Sequence, residues 1–467
     1  MSGIINHQPS DTICAIATPA GMGGIAVVRV SGPAAIDIVG HRWQGKPLSD
    51  IASHTAHLGR ITNSHGELLD EVVLTLYLGP RSFTGEDVVE LSCHGSRWIQ
   101  QQLITTLIEA GCRMAEPGEF TRRAFVSGRL DLAQAEAVAD VIAAQSAAAH
   151  RVAMNQMRGA YSSELRDLRE QLLHFVALIE LELDFSEEDV TFAQRSEVIA
   201  LAERLRAVID RLAASFQTGN AIKQGLPVAI VGQTNAGKST LLNALVHDER
   251  ALVSDIHGTT RDVIEDVVTM GGTLFRFIDT AGIRQSSDVV EAMGIERSFQ
   301  KLDQAQLVLW VIDAATPADE VVRFSQQILP HCEGKSLLAV INKTDLASPE
   351  PVTAALRPLL PVDTRIIDIS AKDASDIEHL QRCIVESAAL PALDGDAVIV
   401  TNARHYQALC RAAEALDRAL AGLHDGLSGD LVSQDIREVV HHLGTITGQV
   451  TTHDLLGEIF ANFCVGK

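Results

Sequence analysis

Gly232-Gln-Thr-Asn-Ala-Gly-Lys-Ser239 has the spacing G-x-x-x-x-G-K-[ST], with the apolar run PVAIV before it and STLLNALV after it. Glycines in such a loop let backbone N–H groups turn toward a phosphate, and the N-terminus of the following helix adds positive potential. Lys238 is placed for β- and γ-phosphates and Ser239 Oγ for Mg²⁺. Asp279-Thr-Ala-Gly282 closes the run LFRFI, where Asp279 can hold Mg²⁺ through water and the Gly282 N–H can meet a γ-phosphate. Asn342-Lys-Thr-Asp345 follows SLLAVI. The Asp345 carboxylate can accept hydrogen bonds from both N1–H and N2–H₂ of guanine, an edge adenine lacks. A pocket built on such buried bonds rejects the wrong base. Ser370-Ala-Lys372 after TRIIDI adds a backbone N–H for the guanine oxygen. In this order the four runs imply a guanine-nucleotide hydrolase; an ATP-driven motor would have no use for Asp345.

Residue 283, directly after the D-T-A-G run, is Ile, where Ras-like proteins place a glutamine that orients the attacking water. An apolar side chain cannot do that, so another group must. The loop Ser254-Asp-Ile-His-Gly-Thr-Thr-Arg-Asp262 is the natural source of a second element, with Thr260 on Mg²⁺. Asn235, with backbone carbonyls of that loop, can form an oxygen cage for a monovalent cation, which would act electrostatically as an arginine finger does.

These loops need a scaffold. From Leu226 to about Ala389 buried-strand runs (PVAIVG, LFRFID, LVLWVID, SLLAVIN, TRIIDIS) alternate with helical segments, the signature of a parallel α/β sheet. Before it, from Thr12 to about Gly95, TICAIAT, GIAVVRVSG, DEVVLTLYLG and DVVELSCHG read as strands, and SRWIQQQLITTLIEAG as a helix closed by Gly111. The first ~125 residues therefore read as an α+β domain. After Gly128 a long Ala-, Leu-, Gln- and Glu-rich stretch reads as helix, as do SEVIALAERLRAVIDRLAASFQ and the tail from Asn402. The simplest arrangement inserts the α/β domain into a helical domain built from both flanks.

The chain of 467 residues allows two or three domains. No apolar run reaches the roughly 20 residues that span a bilayer, and the N-terminus lacks a signal-like pattern, so a cytoplasmic location is expected. Seven scattered cysteines without a C-x-x-C pair argue against a disulfide framework or structural zinc. A net charge of −22 argues against a broad nucleic-acid-binding surface, though a local basic patch or a basic partner could still do that work.

The chain resembles the MnmE (TrmE) family of tRNA modification GTPases along essentially its whole length. The likeness rests on G-T-T-R-D at 258–262, D-T-A-G-I-R at 279–284, G-I-E-R at 294–297, G-R-L-D-L-A-Q-A-E-A at 128–137, F-T-G-E-D at 83–87 and the terminal F-C-V-G-K at 463–467. The last three lie outside any generic GTPase. The resemblance implies α/β and α+β parts: an N-terminal folate-binding and dimerisation domain (1–127), a helical domain in two segments (128–222 and 390–467), and an inserted Ras-like P-loop G domain (223–389). It further implies a homodimer whose G domains pair in K⁺, and a heterotetramer with an FAD-using MnmG-type partner. That assembly adds a carboxymethylaminomethyl or aminomethyl group at C5 of the wobble uridine (U34) of certain tRNAs. The one-carbon unit comes from 5-formyl- or methylene-tetrahydrofolate. A basic partner would also account for tRNA contact by so acidic a chain.

By position, the resemblance implies a nucleotide set of Asn235, Ala236, Gly237, Lys238, Ser239 and Thr240; Ser254, Asp255, Ile256, His257, Gly258, Thr259 and Thr260; Asp279, Thr280, Ala281 and Gly282; Asn342, Lys343 and Asp345; and Ser370, Ala371 and Lys372. Mg²⁺ falls to Ser239 and Thr260, K⁺ to Asn235, Ser254, Ile256 and Thr259, and placement of the water to Glu291. Folate falls to Arg29, Glu90, Arg129 and Lys467, where a carboxylate suits the amidine-like edge of a pterin and Arg or Lys suits its glutamate tail. Cys464 sits on the cysteine of the family's terminal motif, with a catalytic or a packing role both open. Departures are Gln233-Thr234 where the family often has Arg-Pro, Met22 where Arg is common, and Arg129 where Lys is frequent. An Era-like switch GTPase of ribosome assembly is the rival reading.

Overall fold

The computed structural model describes residues 11–184, 195–247, 266–278, 302–388, 398–461, 463, 465 and 466. The chain divides into two compact units. One comprises Met1–Ile142, Met154–Ala207 and Ala408–Lys467; the other comprises Ala143–Ala153 and Val208–Gln407.

In the first unit the strands are β1 (Ile13–Ile16), β2 (Ile25–Ser31), β3 (Trp43–Gln44), β4 (Thr55–Thr62), β5 (Leu68–Tyr77), β6 (Val88–His94) and β7 (Arg113–Met114). Their order is β3-β4-β5-β6-β2-β1-β7, antiparallel except where β1 meets β7. Period-two alternation is plain in β5, where Val72, Leu74 and Leu76 are buried while Glu71 and Val73 are exposed. One face therefore carries the core, packing Val28, Val30, Leu74 and Leu91 against Leu103 and Leu107 of the helix Arg97–Glu109. The other face presents Arg29, Thr75 and Glu90 in one row, because β2 pairs Arg29 with Glu90 and β5 pairs Thr75 with Glu90. That second face is itself partly covered, since Ile13 and Ala15 of β1 cluster there with Phe120 of the helix Glu119–Val126.

The long stretch after Gly128, read as continuous helix from composition, is three helices: Leu132–Ala143, Ala147–Met157 and Ala160–Asp184. Its breaks have local causes. Asp131 and Gln134 form a reciprocal capping box, Gln134 N–H to Asp131 Oδ1 at 2.9 Å and Asp131 N–H to Gln134 Oε1 at 3.0 Å, which starts the first. Ser146 Oγ accepts from Ala149 N–H at 3.1 Å and starts the second. The helix Ala160–Asp184 packs along Gly429–Thr447 of the C-terminal part.

The second unit holds β8 (Leu226–Val231), β9 (Asp266–Met270), β10 (Thr273–Phe277), β11 (Leu307–Asp313), β12 (Ser336–Asn342) and β13 (Arg365–Asp368), ordered β13-β12-β11-β8-β10-β9. All pairings are parallel except that of β9 with β10. β11 and β12 are buried almost throughout, because helices cover both faces. Leu307, Leu309 and Val311 belong to one core cluster, and Val308, Trp310 and Ile312 to the other. Among the described residues no helix is long and apolar enough to cross a membrane. Of the cysteines described, Cys14, Cys93, Cys112, Cys332 and Cys383 are buried and unbridged, and Cys410 is half-buried and unbridged.

Candidate functional site

The phosphate loop leaves β8 at Val231 and runs into the helix Lys238–His247. Asn235 takes a left-handed conformation, φ +62°. Gly237 does too, at φ +94°, and a Cβ there would stand 2.2 Å from Asn342 Nδ2. The loop can approach the base-reading strand end only because that side chain is missing. Lys238 Nζ donates to the Gly232 and Gln233 carbonyls at 2.8 and 2.7 Å, and burial lowers its pKa. An anion placed on the loop would offset that desolvation by its opposite charge. Ser239 lies beside it on the first helical turn, and Ala236 is buried.

Three loops at the C-terminal ends of the parallel strands are bound into one piece by Asn342, which is 2% exposed. Its Nδ2 donates to the Ala236 carbonyl at 2.9 Å, and its Oδ1 accepts from Ala371 N–H at 3.0 Å. Ser370 Oγ donates to Asp345 Oδ1 at 3.0 Å, which orients the exposed carboxylate. Lys343, at φ +67°, sends Nζ to Asp313 Oδ2 at 2.6 Å. Asp376, in the first turn of the helix Ala374–Ser387, accepts from Ser370 N–H at 2.8 Å. Asn235 to Thr240, Asn342, Lys343, Asp345 and Ser370 to Lys372 are thus brought together. Positions 254–260, 279–282 and 291 lie outside the described residues, as do Cys464 and Lys467. Neither Asp313 nor Asp376 was found by motif, since a carboxylate ending a strand or in a helix's first turn has no distinctive spacing.

A second cluster lies in the first unit. Arg29 Nε donates to Glu90 Oε1 at 2.8 Å, and its guanidinium carbon stands 5.6 Å from the ring centroids of both Phe83 and Phe120. Arg29 Nη1 also reaches the Gly466 carbonyl at 3.4 Å. The C-terminus gets there through a bridge between Pro117 and Val465 and by the absence of a side chain at Gly466, whose Cβ would stand 2.3 Å from the Ile16 carbonyl oxygen. The exposed Arg129 has its stem beside Gly85, and Ser127 Oγ donates to the Thr84 carbonyl at 2.7 Å. The run 83–87 therefore brings Arg129 toward the cluster. Burial, and then the Glu90 charge, push the Tyr77 phenol above its ordinary pKa.

Beneath the cluster lies a charge lattice that the sequence did not announce. Arg123, 2% exposed, donates to Glu119 Oε1 at 3.0 Å, Asp11 Oδ1 at 2.9 Å and Glu86 Oε1 at 3.1 Å. Arg113 donates to Glu119 at 2.6 Å, and Ser31 Oγ to Glu86 Oε2 at 2.6 Å. Burial alone would raise the Glu119 carboxyl, but Arg113, the Glu116 N–H and Arg123 outweigh it and hold it below its usual value. A carboxylate so placed stays charged and fixes Arg123, which in turn holds Glu86 in the run that carries Phe83.

The parallel sheet, the strand-to-helix glycine loop and the Asn342 staple define a P-loop nucleotide-binding protein of the class that reads guanine. The family described as MnmE helical domain matches residues 132–464, and that described as GTP-binding protein TrmE N-terminus matches 12–129. A tRNA modification GTPase MnmE of Bacteroides thetaiotaomicron is 53% identical over 464 residues, covering 98% of this chain and 99% of that relative. Another, from Flavobacterium johnsoniae, is 50% identical over 463 residues, covering 98% and 99%. The chain belongs to the MnmE family of tRNA modification GTPases. Era of Aquifex aeolicus, solved with GDP and tetrafluoroaluminate, is 30% identical over 40% of this chain and 66% of that one, with a TM-score of 0.28.

Proposed function

We propose that this enzyme binds GTP across the three stapled loops and hydrolyses it in the service of tRNA wobble-uridine modification. The carrying observation is Asn342, which ties the phosphate loop at Ala236 to the second base loop at Ala371, so phosphate grip and base reading form one rigid element. Backbone N–H groups of 235–240 and Lys238 take the phosphates. Asp345, oriented by Ser370, accepts from N1–H and N2–H₂ of guanine, and the Ala371 loop meets O6.

The half-buried, desolvated ammonium and the adjacent hydroxyl suit a magnesium-bound polyphosphate. Ser239 and Thr260 would hold Mg²⁺, with Asp279 acting through water. Asn235, Ser254, Ile256 and Thr259 would hold K⁺. Bound there, the two cations would neutralise charge on the phosphates in the transition state. Glu291 would hold the attacking water, a task Ile283 cannot perform.

In the first unit, the Arg29–Glu90 pair walled by Phe83 and Phe120 suits a flat heterocycle with a donor edge and an anionic tail. With Arg129 and Lys467 it forms our candidate site for a tetrahydrofolate that supplies the one-carbon unit. The remainder of the reading is a cytoplasmic homodimer with domains at 1–127, 128–222 with 390–467, and 223–389. An MnmG-type FAD partner joins it to build the aminomethyl substituents at C5 of U34.

The test is base selectivity. The parent protein should prefer guanosine over adenosine nucleotides by at least ~10³, as expected of buried hydrogen-bonding readout, and Asp345→Asn should lose most of that preference. Equal affinity for GTP and ATP in the parent, or an unchanged preference in the variant, would refute the reading.

A further inference from the structure

Asp313 and Asn342 are the last residues of β11 and β12, paired directly across two parallel strands. The residue after Asn342, Lys343, therefore leaves its strand beside Asp313, at the sheet end where ligands of such folds bind. Lys343 is left-handed at φ +67°. Its Cε lies 4.0 Å from where a Cβ on Gly237 would stand, so the stem passes directly over the phosphate loop. The ammonium ends on Asp313 Oδ2 at 2.6 Å, with both side chains about a quarter to a third exposed. Asp313 is itself fixed, for its Oδ1 accepts from Ala315 N–H at 2.9 Å. Burial would raise its carboxyl, but Lys343 and the Ala315 N–H hold it below the ordinary range, so it stays anionic at neutral pH.

The geometry points to Asp313 as a positioning residue for nucleotide binding, which locks the Lys343 side chain across Gly237 as a preformed wall between the phosphate loop and the base pocket. This rests on the reading that Lys343 lies in the nucleotide site. Two effects oppose each other. A carboxylate near a polyphosphate repels it, while a free lysine of four rotatable bonds must be ordered whenever the ligand binds. The close, partly desolvated ion pair cancels most of the field of the carboxylate. Ordering is left as the larger effect, so removing Asp313 should weaken binding. Because the wall meets bound GTP and GDP alike, the loss should fall on KM far more than on kcat.

The experiment compares Asp313→Ala, Lys343→Met and the double variant in the full-length protein, measuring KM and kcat for GTP and the Kd of a fluorescent GDP analogue. Expected are roughly tenfold rises in KM and Kd for each single variant, a much smaller change in kcat, and a double variant no weaker than Lys343→Met. Such non-additivity is the mark of residues acting as one unit. If Lys343→Met leaves KM unchanged, the placement of Lys343 in the site fails. If Lys343→Met raises KM while Asp313→Ala does not, or lowers it, or if the two effects simply add, the proposal fails. Asp313→Asn keeps the shape and a hydrogen-bond acceptor, and should recover part of the loss. A purely structural role would instead depress kcat and the unfolding temperature of all variants in parallel.

Discussion

The two candidate sites are built on opposite plans. In the second unit backbone N–H groups share the work with Lys238, Ser239 and Asp345, presented by loops at the ends of parallel strands and locked by one buried side chain, Asn342. In the first unit they are side chains standing on the second, partly covered face of an antiparallel sheet, with Arg29 and Glu90 meeting because β2 and β6 pair in that register. A charge lattice of Arg113, Arg123, Asp11, Glu86 and Glu119 fixes the run and the helix that carry Phe83 and Phe120. Backbone sites depend on the space left by missing atoms, and side-chain sites on the electrostatics of those present. The two should therefore fail under different insults.

The largest expected effect is at Gly237. Alanine there must take a left-handed φ of +94° and place its Cβ 2.2 Å from Asn342 Nδ2. The conformation costs about 1–3 kcal/mol and the lost buried hydrogen bond a similar amount. Gly237→Ala should weaken guanine-nucleotide binding at least ~100-fold while leaving the Arg29–Glu90 site as it was. Titration with a fluorescent GTP analogue decides it, and an affinity within threefold of the parent would break the contrast. Substitutions that add no atoms near the staple should do far less.

This asymmetry also sets what could be read from sequence. The nucleotide loops were legible because their chemistry is contiguous: eight residues from Gly232 to Ser239 carry conformation, charge and hydroxyl in one run. The parallel strands announced themselves by burial on both faces, as in LVLWVID. The first unit hid more. Strand β4, T-A-H-L-G-R-I-T, has a central glycine and buries only Ile61 and Thr62, so it carries no apolar alternation that marks it as a strand. Arg29 and Glu90 stand 61 positions apart, and only resemblance linked them. The aromatic walls Phe83 and Phe120 and the buried Arg123 carry no spacing signal, since their partners come from three separate segments. The helix breaks near Ser146 and Gly159 were missed because a single cap or a single positive φ, +89° at Gly159, outweighs a favourable composition.

Next in size is the lattice. Glu119 is 1% exposed and accepts from two arginines, so Glu119→Gln takes one of three carboxylates from the buried Arg123, which keeps Asp11 and Glu86, and weakens charge-assisted hydrogen bonds at a cost of about 1–3 kcal/mol. The sign of its pH dependence follows from its depressed pKa. The stabilisation is complete above the ordinary value of 4.5 and is lost as pH falls through the lower folded-state value. The parent should therefore lose stability on acidification below about pH 4.5, and the variant, weaker at neutral pH, should show a shallower acid limb. Urea unfolding followed across pH 3–7 measures both. Parallel curves would mean that Glu119 carries no linked proton. Nucleotide affinity at neutral pH should change little, because no residue of the lattice belongs to the nucleotide-binding runs.

The smallest effect is the most local. Glu90 is partly exposed, and its pair with Arg29 contributes on the order of 1 kcal/mol or less to stability. Its charge also bears on Tyr77, whose phenol is raised first by burial and then by Glu90, with Arg29 acting in the opposite sense. Glu90→Gln removes the negative charge, frees Arg29 to act unopposed, and leaves the burial in place. The phenol should therefore titrate lower than in the parent. With only three tyrosines in the chain, a phenolate absorbance titration of the parent, Glu90→Gln and Tyr77→Phe separates this group from Tyr161 and Tyr406. A Tyr77 titration unmoved by the substitution would mean that burial alone sets it. The first-unit site would then be a hydrophobic recess rather than the electrostatic one that distinguishes it from the nucleotide loops.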